Sequence, residues 1–324
     1  MDRRKFVALV GSVLAAPRLV LAQPAKIHRV AWFSTAGKAT SNLFLTPFIE
    51  GMAALGYVEG RNLVIDGRWG ENSREALDRL ALEAAALNPA VIVTQGPALH
   101  AARKLPGSTP VVFGFSGDPV LLGVAKSLAR PGDRYTGVTF LAYDLVGKRV
   151  ELLREMLPRI KRLAVLSNTN HVGDAQELST TLEAAARYGM SVSVHRARNT
   201  TELESALAEI AAARAEAVVV HPDGMMVQQR ETIARFSLQQ RIPAVSGWAA
   251  IAEGGNLATY GPVLQECYRR LAYFTDRILR GANPADLPIE LPPKFELVIN
   301  LRTAKALGIR VPQSVLLRAD RVIE

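Results

Sequence analysis

Beyond residue 26, short runs of Val, Ile, Leu and Phe alternate with longer stretches in which apolar residues return every three or four positions. The first kind of run predicts buried β-strands and the second amphipathic helices; their alternation predicts β-α-β units on parallel sheets. In the first half the expected strands are Ile27 to Phe33, Asn62 to Trp69, Ala90 to Thr94, Pro110 to Phe115 and Thr136 to Phe140. Helices are expected at Leu43 to Gly56, Ser73 to Leu87, Ala98 to Lys104 and Val120 to Ala129.

A second series opens with a helix from Asp144 to Leu157. Strands then fall at Leu163 to Ser167, Ser191 to Arg196, Ala217 to His221 and Ala244 to Ser246, with helices at Ala175 to Gly189, Thr201 to Ala213 and Val227 to Gln240. Two such series predict two doubly wound α/β lobes rather than one wide sheet. The long helix Val263 to Gly281 and the proline-rich stretch after it predict a return to the first lobe and a further crossing. The expected lobes are 27–140 with 260–290, and 141–259 with 291–324, joined by a three-segment hinge.

The first twenty-two residues follow a different pattern. Arg3, Arg4 and Lys5 precede an apolar run from Phe6 to Ala16, and Val20-Leu21-Ala22 has the small residues of a cleavage site. The run is too short to span a bilayer. The segment reads as an export signal cleaved near Ala22, and its paired arginines resemble a twin-arginine signal, so a periplasmic location is expected. No cysteine follows the cleavage site directly, which argues against a lipid anchor, and the short apolar run argues against direct membrane insertion.

The chain of 324 residues has a net charge of +9, and the signal-like segment holds four basic residues against one acid. The remaining positive charge is scattered and interleaved with acids, which argues for a solvated surface and against nucleic acid as a partner. One cysteine, Cys267, lies in a helical run, where a small buried side chain is expected.

Ligands of doubly wound sheets sit beyond the carboxyl ends of the strands. The residues expected there are Ser34, Thr35, Gln95, Gly96, Ser116 and Asp118 from the first series. Asn168, Asn170, Asp223 and Trp248 come from the second, with Tyr260 near a crossing. Hydroxyls, amides and helix N-termini receive a carboxylate; Asp118 and Asp223 suit either an ammonium group or ordinary helix and turn caps. Trp248 and Tyr260 suit stacking on a planar ligand or plain packing.

Catalytic and cofactor motifs are missing. Gly114 to Asp118 lacks the second glycine of a nucleophile elbow, no phosphate-binding glycine loop follows the first strand, and the five histidines have no metal-ligand spacing. No cofactor or metal is expected. An enzyme assembling Ser116 with His221 stays as the distant alternative.

Several blocks carry a resemblance. Phe48 to Trp69 (FIEGMAALGYVEGRNLVIDGRW), Gly117 to Val120 (GDPV), Ser127 to Val138 (SLARPGDRYTGV) and Lys148 to Pro158 (KRVELLREMLP) resemble the ABC-transporter substrate-binding family that includes the tryptophan-binding TrpX-type proteins. Arg241 to Gly247, Ala258 to Pro262 and Gly281 to Ile309 continue the match. The resemblance implies a periplasmic binding protein of type I that delivers a small solute to an ABC permease in the inner membrane. With the polar strand ends, it predicts an amino acid or an aromatic or apolar carboxylate as ligand, a non-enzymatic role and a monomer. A receptor feeding a membrane sensor is the alternative. Where the family has Pro-Gly-Gly-Asn, this chain has Pro131-Gly132-Asp133-Arg134, which puts a charge pair near the first crossing.

Overall fold

The computed structural model describes residues 27–140, 142–171 and 173–324; the expected signal at 1–22 lies outside them. The first layer is built from β1 (His28–Ser34), α1 (Lys38–Ala54), β2 (Leu63–Trp69), α2 (Arg74–Ala86), β3 (Val91–Gln95), α3 (Leu99–Lys104), β4 (Val111–Phe115) and β5 (Tyr135–Thr139). These strands form one parallel sheet in the order β2-β1-β3-β4-β5. Every residue of β3, β4 and β5 is buried, as expected of strands covered by helices on both faces. Ser73 starts α2 by accepting a hydrogen bond from the backbone N–H of Ala76 at 3.1 Å.

The stretch expected as a helix from Val120 to Ala129 is a series of turns. The N–H groups of Val124 and Ala125 both return to the carbonyl of Pro119, and Gly123 has φ of +72°, which ends any helical path. The apolar period that predicted the helix arises partly from Val120 and Leu121, which face solvent. The expected charge pair at Asp133-Arg134 also resolves differently. Arg134 donates to the carbonyls of Ala102, Leu105 and Gly107, closing the C-terminal end of α3.

The chain then forms α4 (Ala142–Met156), β6 (Arg162–Ser167), α5 (Asp174–Arg187), β7 (Ser191–Arg196), α6 (Thr200–Ala212), β8 (Ala217–Val220), α7 (Gly224–Gln228), α8 (Arg230–Gln240), β9 (Ala244–Ser246), α9 (Ala249–Glu253) and β10 (Ala258–Pro262). Next come α10 (Leu264–Leu279), β11 (Phe295–Asn300), α11 (Leu301–Leu307), α12 (Gln313–Leu316) and β12 (Arg321–Ile323). The second sheet has the order β12-β11-β10-β9-β8-β6-β7, with β10 and β11 antiparallel and all other pairs parallel. Residue 260, expected as the start of the return to the first lobe, lies inside β10, paired within the second sheet.

The strongly amphipathic α10 makes that return. Its buried face, Cys267, Tyr268, Leu271, Phe274 and Ile278, packs with α1 against the first sheet. Cys267 is buried there as expected, and burial pushes its thiol up to about 12. Beyond α10, Glu290 bonds along β5 before the chain crosses again into β11. Among the described residues no helix is long and apolar enough to cross a membrane.

Two glycines on these elements behave oppositely. A Cβ on Gly137, with φ of +143°, would stand 2.1 Å from the carbonyl oxygen of Phe113 on the paired strand, whereas one on Gly147 in α4 would meet nothing. Gly137→Ala is expected to cost about 2–3 kcal/mol in denaturant unfolding. Gly147→Ala is expected to gain about 0.5–1 kcal/mol from helix propensity.

Candidate functional site

Every strand of the first sheet ends on one edge, and there the side chains hold one another in place. Ser34 Oγ accepts from the Ala36 N–H at 3.1 Å and fixes the turn after β1. Trp32 Nε1 donates to Ser41 Oγ at 3.0 Å, and that hydroxyl donates to Gln95 Oε1 at 3.2 Å, so the Gln95 amide is aimed by α1. Gly96 takes φ of +54° to turn the chain out of β3.

On the second sheet, Asn168 after β6 donates from Nδ2 to the Asp223 carboxylate after β8. Asn168 Oδ1 accepts from Asn170 N at 2.9 Å, and Asp223 Oδ1 accepts from Met226 N at 2.8 Å as the cap of α7. Burial pushes the Asp223 carboxyl above its ordinary range, against the pull of His171 and the Met226 N–H.

The two edges face each other. A Cβ on Gly224, at the start of α7, would stand 3.5 Å from Ala36 Cβ and 3.9 Å from Gln95 Nε2. Asn72 Nδ2 donates across to Gln228 Oε1 at 2.9 Å. Between them lies a void of about 30 Å3 whose lining includes Thr35, Asn72, Asn168, Asn170 and Asp223, with Arg74 and Arg198. Such a space holds one or two waters. The lobes are therefore drawn together over their strand ends.

Ser116 lies farther along the same edge, its carbonyl 3.5 Å from where a Cβ of Gly173 would be. Trp248 is 6% exposed and wedged edge-on against Phe44 and Phe140, with ring centroids 6.0 Å and 6.4 Å away. Tyr268 joins the same group of rings. This group makes the apolar core continuous between the sheets.

The side chains of two expected residues are engaged elsewhere. The Asp118 carboxylate caps its own turn, accepting from Val120 N at 2.7 Å and Leu121 N at 3.2 Å. Tyr260 lines a separate outer cavity of about 300 Å3 with Lys148, Glu151, Glu155 and Arg318.

Directly behind the second sheet's edge is a buried polar group. Glu177 Oε1 lies 3.2 Å from His171 Nε2, while Glu177 Oε2 is 3.6 Å from His221 Nδ1. His221 Nε2 meets Thr181 Oγ1 at 3.1 Å. Burial alone would lower the His171 imidazolium, but Glu177 overrides it and the group is raised; burial would raise Glu177, but His171, His221 and Arg149 hold it low. Arg149, fully buried, is drawn down to about 10 by the loss of solvent, opposed by Glu177.

This fold, two α/β sheets joined by crossing segments, has known counterparts. The sequence model for ABC transporter substrate binding proteins matches residues 41–323. The chain belongs to the ABC transporter substrate binding protein family. A "Tyrosine-binding protein" of Clostridioides difficile (strain R20291) is 22% identical over 264 residues, 81% of this chain and 76% of that protein. A conserved domain protein of Vibrio cholerae overlays with a TM-score of 0.86 at 25% identity, covering 92% of this chain and all of the other. An ABC domain from Streptococcus pneumoniae in complex with L-Trp overlays with a TM-score of 0.85 at 22% identity, again over 92% of this chain and all of the other.

In this substrate-binding protein, sequence reasoning passed over Arg149, His171 and Glu177, and weighed His221 only as a partner of Ser116. A signal was present for two of them. Arg149 shares the apolar face of Val146, Val150 and Leu153, and Glu177 that of Thr181, Ala184 and Ala185. A charge on the buried face of a helix needs a reason. Asn72 and Gln228, which bridge the lobes, sit among ordinary turn and helix residues and carried no signal.

The His171–Glu177 pair predicts a stability profile with two limbs. The depressed Glu177 contributes above its unfolded value near 4.5 and is lost as pH falls through the lower folded value. The raised His171 contributes fully below its unfolded value near 6.5 and is lost as pH rises through the higher folded value. The Glu177→Gln variant is expected to be less stable by about 3 kcal/mol near pH 5.5, with both limbs flattened, in unfolding measured from pH 3 to 9.

Proposed function

We propose that the protein is the exported, freely diffusing receptor of an ABC uptake system, binding a small solute between its lobes and presenting the closed form to a permease in the inner membrane. The observation that carries this reading is the facing of the two strand-end edges across the void at Thr35, Asn168, Asn170 and Asp223, with Asn72 joined to Gln228. A solute that touches both edges favours the closed arrangement because it makes contacts there that the parted lobes do not offer.

The ligand proposed is an amino acid with an aromatic or apolar side chain. The amides of Gln95, Asn168 and Asn170 and the start of α7 at Gly224 supply polar contacts at one end of the interface, and the rings of Phe44, Phe140 and Trp248 an apolar boundary at the other. The tyrosine named for one relative and the L-Trp held by another structure support the same class. The lobes proposed are those built on the two sheets, with the signal-like segment before Gln23 directing the folded chain to the periplasm. The receptor acts as a monomer and returns its solute unchanged.

Isothermal calorimetry on protein from Gln23 onward, titrated with amino acids, aromatic acids, sugars and divalent metals, tests this. Saturable one-to-one binding of an aromatic or apolar amino acid is expected, weakened about tenfold or more by Asp223→Ala, which unlocks Asn168 and α7. Binding confined to sugars or metals contradicts the reading.

A further inference from the structure

The guanidinium of Arg149 is the least satisfied charged group among the described residues. It is fully buried on the inner face of α4, and its Nε donates to the carbonyl oxygen of Tyr260 at 3.0 Å. Neither Nη1 nor Nη2 has an acceptor among the described residues. Four N–H donors of a permanent cation are thus held out of water with nothing to receive them, a costly arrangement that folded proteins keep where a partner completes it.

No side chain nearby fills that role. Glu177 compensates part of the charge through space, but it lies beyond ion-pair reach and its Oε1 is taken by His171 at 3.2 Å. The position of the guanidinium points to a ligand instead. A Cβ on Gly247 would stand 2.4 Å from Arg149 Nη2 and 2.7 Å from Pro222 Cγ. Pro222 and Gly247 follow β8 and β9 within two residues, so the guanidinium lies at the strand ends that face the first lobe.

We propose that Arg149 anchors the ligand's carboxylate, its two Nη groups donating in parallel to the two carboxylate oxygens. The planar fork matches a carboxylate in a way that an ammonium does not. Gly247 serves the same end, because any side chain there collides with the fork. The assignment rests on the receptor reading above and deepens it, since it makes the carboxylate rather than the side chain the obligatory part of the ligand. Glu177, beyond ion-pair reach, leaves the fork free for the ligand's carboxylate.

The test compares L-tryptophan and L-tyrosine with their decarboxylated amines, tryptamine and tyramine, on wild type, Arg149→Met and Arg149→Lys. Each protein is also unfolded thermally without ligand. The wild type is expected to bind an amino acid and reject its amine. Arg149→Met is expected to lose on the order of 100-fold in affinity for the acid. Its ligand-free midpoint is expected to equal or exceed that of wild type, because an unsatisfied buried charge has been removed. A purely structural arginine would instead lower that midpoint.

Arg149→Lys keeps the charge without the fork and is expected to lose about tenfold. Should Arg149→Met fail to fold, Arg149→Lys decides: binding equal to wild type overturns the assignment. Wild-type affinity in Arg149→Met, or equal binding of acid and amine by wild type, overturns the assignment and leaves the receptor reading intact. A wild type that binds neither amino acid overturns the assignment, and the calorimetric panel then judges the receptor reading separately.

Discussion

A parallel strand can be followed by another only if a helix carries the chain back, so all strands of such a sheet end on the same edge. That constraint governs the whole first sheet and the parallel strands β6 to β10 of the second. Ser34, Gln95 and Ser116 are brought to one edge, and Asn168, Asp223, Gly247 and Trp248 to another, although scores of residues separate them in sequence. The polar ends at these edges find partners both within a sheet, as in Asn168 with Asp223, and across to the other lobe, as in Asn72 with Gln228.

The connections tie the two edges to each other. After β10 the chain lays α10 against α1 and the first sheet, returns along β5 at Glu290, and rejoins the second sheet as β11. Each lobe's core is thereby finished by chain that has crossed from the other. The contacts between the edges differ in kind. Polar pairs and bare glycines meet at the α7 side, whereas Trp248 meets Phe44 and Phe140 at the other. The first kind exchanges for water at little cost; the second resists parting.

Most strands were legible because buried parallel strands are written as unbroken apolar runs, as in Val91 to Val93 and Ala217 to Val220. The late strands were not. β12 has three residues, and β11 follows two prolines that read as a crossing. The turn-rich segment after Pro119 imitated a helix because Val120 and Leu121 keep a helical period while facing water. Candidate cleft residues were found by position alone, as the residues following strands, and that reasoning has no access to where a side chain turns. Asp118 curls onto its own turn and Tyr260 points to an outer cavity. Arg149 and Glu177 lie on helices, where no strand-end rule reaches, and His171 lies in the turn just past Asn170.

The central claim is that a solute holds together two lobes that part without it. The native Cys267 is buried, so spectroscopic labels placed at the exposed positions of α2 and α6 through Arg79→Cys and Glu204→Cys report only the two lobes. Pulsed electron-spin distance measurement on that doubly labelled protein, with and without saturating L-tryptophan, tests the claim directly. The account predicts a long, broad separation without the amino acid and a single shorter one with it. An unchanged distribution in the presence of a bound ligand would contradict it.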